Sequence, residues 1–222
     1  MDRHVFHDRR SAGALLGMEV AKSTVGSPVV LGLPRGGVPV AAQVAEAIEA
    51  PLDVIVVRKL GVPRQPELAM GAIGENGVVI VNRDVVQASR TSERELAEVE
   101  ARERAELDRR LGFLRSVRPH QSLVDRPAVI VDDGIATGAT IRAAIQVARA
   151  YGASDVTVAT PVAPLGVVEM LSSEADRVVC LAQPDPFGSV GRWYHHFEAV
   201  TDAEVMQAMT AAAGHSTDSD AP

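Results

Sequence analysis

The stretch Val129-Ile130-Val131-Asp132-Asp133-Gly134-Ile135-Ala136-Thr137-Gly138-Ala139-Thr140 carries four chemical features in a fixed order. A short apolar run ends, two adjacent carboxylates follow, a loop of Thr, Gly and Ala comes next, and a helix-forming segment opens at its end. A helix N-terminus offers unpaired backbone N–H groups and a partial positive charge. Small residues let an anion approach those amides closely. Thr137 and Thr140 add hydroxyl donors, so Ala136, Thr137, Gly138, Ala139 and Thr140 suit a phosphate monoester. Carboxylates beside a phosphate are repulsive unless they meet sugar hydroxyls or a Mg²⁺ ion. The pattern therefore fits a ribose 5-phosphate, with its hydroxyls on Asp132 and Asp133 and its phosphate on residues 136–140. Two other phosphate signatures are missing from the sequence: there is no GxxxxGK[ST] and no GxGxxG after a strand.

The elements that would position this segment follow from the apolar pattern. Helical spacing runs from Ser11 to Thr24, over Val38–Ala50 and over Ala139–Tyr151, with a shorter helix at Leu165–Ser173. Short continuous apolar runs at 29–34, Leu52–Val57, Ala128–Val131, Val156–Pro161 and Val178–Ala182 read as buried strands. Asn76-Gly77 between Ala69–Ile73 and Val78–Val81 signals a hairpin. Ser92-Glu93-Arg94-Glu95 and Thr201-Asp202-Ala203-Glu204 read as capping boxes. The first opens a long, charged and mostly solvated helix to about Arg115, with Glu98/Arg102, Glu100/Arg104 and Glu106/Arg110 as i,i+4 pairs. The alternation predicts an α/β fold with a mostly parallel twisted sheet covered by helices on both faces. Residues 1–213 are expected to form a single domain, and 214–222 a polar disordered tail. Ligands of such sheets bind beyond the strand C-termini, at a switch point in strand order.

Composition narrows the function class. The 222 residues carry 22 Lys and Arg against 29 Asp and Glu, a formal charge of −7, which argues against binding nucleic acid by charge alone. No apolar run approaches the roughly 18 residues of a membrane span, and MDRHVFHDRR has no apolar signal-peptide core. The one cysteine, Cys180, reads as a small buried hydrophobe and leaves no disulfide framework. A cytoplasmic location is the expectation. His4 and His7 are assigned to a mobile N-terminus. His195 and His196 are poor metal ligands, because adjacent side chains diverge. Aromatic residues make up 3% of the chain, yet Phe187, Trp193, Tyr194 and Phe197 fall close together.

VIVDDGIATGAT resembles the phosphoribosyl pyrophosphate (PRPP) binding motif of type I phosphoribosyltransferases, and the resemblance extends over most of residues 5–200. It implies that fold, with a flexible hairpin or loop and a small C-terminal hood. It also implies that Arg35, Gly36 and Gly37, in the loop after the first core strand, bind pyrophosphate; a non-proline cis peptide is often found there in the family. Arg58 and Lys59 follow the second strand, where the family places basic residues on PRPP. RKLGVPRQPELAMGAI partly resembles adenine-type enzymes, which places Arg64 and Glu67 in a mobile loop, with Glu67 as a catalytic candidate beside Asp132 and Asp133. The hood holds Asp185 and Phe187 as acceptor-pocket candidates, with Phe187 able to stack on a flat base. Mg²⁺ would be held mainly by PRPP with Asp132 and Asp133 nearby, and no strong direct metal ligand is evident. The implied activity moves 5-phosphoribosyl to a nitrogenous base, within nucleotide salvage, from a possible homodimer. The alternatives are a PRPP- or nucleotide-binding regulator without catalysis, and a ribose-phosphate domain acting with a separate hydrolase. The acceptor base is not legible.

Overall fold

The protein is described by a computed structural model covering residues 5–116 and 120–214. His4 and the tail from 215 onward lie outside the described residues. Helices α1 (Arg9–Ala21) and α2 (Gly37–Ala47) flank strand β1 (Val29–Gly32), and β2 (Leu52–Val54) follows. Strands β3 (Arg58–Val62), β4 (Gln65–Ile73) and β5 (Val79–Val81) come next, then helices α3 (Arg83–Ala88) and α4 (Glu93–Arg115). The second half alternates β6 (Pro127–Val131), α5 (Ala139–Ala150), β7 (Asp155–Val162), α6 (Leu165–Ser172) and β8 (Arg177–Ala182). A 3-10 turn at Val190–Trp193 and α7 (Asp202–Gly214) complete the chain.

The central sheet is five-stranded, in the order β2-β1-β6-β7-β8, and every pairing is parallel. Alternate residues of its strands feed two cores. Val29, Leu31, Ala128, Ile130, Val156 and Val158 pack with Ile141, Ile145 and Leu171 from α5 and α6. Val30, Val129 and Val131 pack with Leu16, Val20, Val40 and Val44 from α1 and α2. Both faces are thus covered, which is why the strands read as unbroken apolar runs. From β1 the chain passes to β2 on one side, while β6 pairs on the other and leads to β7 and β8. The switch point lies between β1 and β6, and the loops after those two strands frame the crevice.

Residues 58–81 depart from the sequence reading. In place of a loop followed by a hairpin, they form a separate three-stranded antiparallel sheet, β3-β4-β5. Arg58 and Lys59 therefore open β3 and do not simply trail β2. Arg64 sits in the turn joining β3 to β4. Asn76 (φ 54°) and Gly77 (φ 77°) make the expected hairpin turn with positive φ at both positions. Helix α4 is also less solvated than its charge suggests. Leu96, Val99, Leu107 and Leu114 are buried against Leu60, Met70 and Ile73 of the small sheet, beside Val205 and Met209 of α7. Of the i,i+4 pairs expected on it, Glu100 and Arg104 meet at 3.0 Å, whereas Glu106 pairs with Arg109 and Arg102 turns to Glu103.

Both capping boxes form. The Ser92 Oγ accepts from the Glu95 N–H at 3.2 Å while the Glu95 carboxylate accepts from the Ser92 N–H at 2.9 Å, and Thr201 with Glu204 repeats the pattern. Ser92→Ala should lower stability by about 1 kcal/mol. Urea unfolding checks this as a fall in midpoint with an unchanged slope.

Candidate functional site

Strand β6 delivers Asp132 and Asp133 to the switch point. Burial pushes the Asp132 carboxyl well above the ordinary carboxylate range, and the neighbouring Asp133 charge adds to the rise. Asp133 is raised too by burial, opposed by the Arg9 guanidinium beside it. A half-buried acidic pair of this kind favours partners that donate hydrogen bonds or bring positive charge. One Asp132 oxygen already accepts from the Asp133 N–H at 2.9 Å.

The loop beyond the pair is anchored and open at once. Ile135 is buried, and its N–H donates to the Val162 carbonyl at 2.9 Å. Gly138 caps α5 at φ 78°, and a Cβ there would also meet the Met170 side chain at 2.6 Å. Ala136, Thr137 and Thr140 are exposed. Among the described residues, the N–H groups of Ala136 through Thr140 find no acceptor within the chain, and α5 has no side-chain cap. These are the orphan donors of a helix N-terminus, aimed at the crevice.

Across the switch point, the turn after β1 rests directly on the acidic pair. Leu33 donates its N–H to the Val131 carbonyl at 2.9 Å, and the Pro34–Arg35 peptide is cis. A Cβ on Gly36 would collide with the Asp133 carboxylate, and one on Gly37 would lie 2.6 Å from the Val131 carbonyl oxygen. The two glycines are thus required by close approach. The Arg35 guanidinium is about half exposed, with Asp202 at 3.9 Å.

A cleft of about 510 Å³ runs beside this turn, lined by Leu33, Pro34, Arg58, Lys59 and Thr140 among others. The structure so brings the turn after β1, the start of β3 and the first residues of α5 to one cavity.

A family model described as the phosphoribosyl transferase domain matches residues 11–191. The chain belongs to the phosphoribosyl transferase family. Two Mycobacterium tuberculosis proteins, each named "putative phosphoribosyl transferase", from strains CDC 1551 / Oshkosh and ATCC 25618 / H37Rv, are 52% identical over 202 residues. That alignment covers 91% of this chain and 46% of each relative, so the chain spans about half the length of the curated relatives it matches. Among solved structures, TT1426 from Thermus thermophilus is 43% identical, with a TM-score of 0.87, covering 93% of this chain and 98% of that one.

Within this phosphoribosyl transferase fold the remaining candidates fall as follows. The Arg58 guanidinium is committed to Glu103 of α4, through Nε at 3.0 Å and Nη2 at 2.7 Å. Lys59 lines the cleft. Glu67 belongs to β4, and its side chain is outside the described part of the structure. Asp185 is exposed and precedes a cis Pro186. Phe187 is half-buried against the cluster of Phe6, Ala12, Val162 and Tyr194, and its carbonyl accepts from the Trp193 indole N–H at 3.0 Å. The Val190 side chain packs where a Cβ on Gly134 would stand, so this C-terminal segment touches the loop after β6.

The N-terminus proves to be part of the same assembly. Phe6 bridges Tyr194, and the His7 ring lies 4.9 Å from that of His196. His7, expected in a mobile terminus, is therefore held against the hood. Sequence reasoning missed two residues that contact the acidic pair. The Arg9 Nε donates to Asp133 Oδ2 at 2.7 Å, and the Tyr194 hydroxyl donates to the Asp133 carbonyl at 2.6 Å.

Proposed function

We propose that this protein transfers 5-phosphoribosyl from PRPP to a nitrogenous base, releasing pyrophosphate. The observation that carries the reading is the row of free N–H groups at 136–140, next to a half-buried acidic pair at the switch point. On this reading those amides, with the Thr137 and Thr140 hydroxyls, hold the 5-phosphate. Asp132 and Asp133 accept hydrogen bonds from the ribose hydroxyls and offset positive charge at the anomeric carbon as its bond to pyrophosphate breaks and the bond to the base nitrogen forms. Arg35, Lys59 and the backbone of Gly36 and Gly37 hold the departing pyrophosphate. Arg58 supports that site through Glu103.

Two carboxylates suit Mg²⁺, which keeps several waters and is commonly held by one or two carboxylates together with substrate phosphates. When bound, Mg²⁺ would neutralise charge on the leaving pyrophosphate. The chain's own contribution is orientation and a fixed electrostatic field, with no covalent intermediate required. Asp185 and Phe187, beyond β8, are the side from which a flat base would enter. Nucleotide salvage in the cytoplasm is the setting this activity implies.

The test is calorimetric titration with Mg-PRPP, followed by pyrophosphate release across a panel of bases. Asp132→Asn with Asp133→Asn should weaken Mg-PRPP binding by about 10²–10⁴-fold, since charged hydrogen bonds contribute about 1.5–3 kcal/mol each and both carboxylates lose theirs. Unchanged binding in that variant would overturn the assignment. Tight binding without turnover on any base would favour a PRPP-binding regulator.

A further inference from the structure

Arg9 stands in the first turn of α1, far from the acidic pair in sequence, yet its guanidinium is locked against it. Its Nε reaches Asp133 Oδ2 at 2.7 Å, and the two side chains are only 12% and 13% exposed. Its Nη1 donates to the Glu198 carbonyl at 2.8 Å. Its plane lies over the Phe197 ring, with the guanidinium carbon 3.8 Å from the ring centre. Phe197 in turn stacks on Tyr194, whose hydroxyl holds the Asp133 backbone. The same carboxylate abuts Gly36 of the turn after β1, with Oδ2, the atom that Arg9 holds, the nearer oxygen.

A side chain held by a carboxylate, a carbonyl and a ring face is a fixed part of the site and not a mobile stand-in for a ligand. The contacts also require arginine. A planar fork can donate in two directions while stacking on a ring, whereas an ammonium is a point donor. We propose that Arg9 is a positioning residue: it fixes the Asp133 carboxylate for the ribose hydroxyls of PRPP and ties that carboxylate to the hood. This rests on the proposed phosphoribosyl reading. It adds a role for α1 and for Phe197 and Glu198 that the motif at 129–140 does not contain. Arg9 supplies the positive charge that lets two adjacent carboxylates remain acceptors while a highly anionic substrate enters.

The experiment titrates the intact protein with Mg-PRPP and, separately, with Mg-pyrophosphate, in wild type, Arg9→Gln and Arg9→Lys, with a melting curve for each. Pyrophosphate does not contain the ribose, so its binding should stay within about twofold of wild type in both variants. PRPP affinity should fall about tenfold in Arg9→Gln and about threefold in Arg9→Lys, where charge survives but the fork does not. PRPP affinity equal to wild type in both variants would overturn the role of Arg9. So would equal losses for PRPP and pyrophosphate, which would mark a merely structural residue. Should Arg9→Gln fail to melt cooperatively, Arg9→Lys alone decides by the same ratio of the two ligands. Failure of wild type to bind Mg-PRPP would instead overturn the phosphoribosyl reading, and the role of Arg9 with it.

Discussion

Gly37→Ala should abolish Mg-PRPP binding and lower the unfolding free energy by about 1–3 kcal/mol, the usual cost of forcing a methyl into a closed contact. The added Cβ would stand 2.6 Å from the Val131 carbonyl oxygen and 3.0 Å from the Asp132 Cα. Both are backbone atoms at the end of β6, so neither can rotate away. Relief requires the turn at 34–37 to separate from the acidic pair, and that separation dismantles the proposed pyrophosphate and ribose subsites together. Gly36→Ala differs in kind. Its Cβ meets the Asp133 side chain, which can swing aside only by breaking its contact with Arg9. This variant should fold nearly normally yet bind Mg-PRPP at least tenfold more weakly, a loss of about 1.4 kcal/mol. Gly112→Ala is the control: nothing lies within 4 Å of its Cβ on α4, so stability should rise by about 0.5–1 kcal/mol with binding unchanged. Calorimetric titration and chemical unfolding of the three variants separate these outcomes.

What could be read from the chain follows the range of the interactions. The core strands were legible because both their faces are buried, as at Ala128–Val131, where no polar position interrupts the run. The Asn76-Gly77 turn and the Ser92 and Thr201 caps were legible because each is satisfied within four residues. The acidic pair and small-residue loop were legible for the same reason, since strand end, loop and helix start are contiguous. Strand β3 was not, because the register shifts on either side of Gly61, breaking the two-residue alternation that marks a strand. Gly61 has its reason in space: a Cβ there would lie 2.6 Å from the Pro66 carbonyl oxygen. Arg9 was illegible because its partner is 124 positions away and nothing local distinguishes it from Arg10. The aromatic cluster was visible as a group, but its use was not. Tyr194 and Phe197 brace the Asp133 side of the site and the N-terminal segment, while Phe187 packs at the edge of that group.

Arg115→Met should lower stability by about 3–5 kcal/mol, because it leaves two buried carboxylates without their cation. Arg115 ends α4 and points into the junction of the two sheets. Its Nη1 reaches Asp53 Oδ1 of β2 at 2.7 Å, while its Nε and Nη2 reach the Glu75 carboxylate at 2.7 and 2.5 Å. Asp53 is fully buried and Glu75 is 6% exposed, so water cannot replace the guanidinium. Surface pairs on the same helix give the contrast. Arg94→Ala, at a side chain 88% exposed, should change stability by no more than about 0.5 kcal/mol. Adding Asp53→Asn and Glu75→Gln to Arg115→Met should restore part of the loss, since the charges that need a partner are then gone. With Leu114, buried in one cluster with Val54 of β2, the Arg115 network helps hold the far end of α4 to the central sheet, and α4 contributes Val99, Arg102, Glu103 and Arg110 to the cleft beside Lys59. Mg-PRPP affinity in Arg115→Met should therefore fall together with stability and recover with it in the triple variant. A recovered fold with unrecovered affinity would mean that the charge of this network, and not its rigidity, is what the cleft depends on.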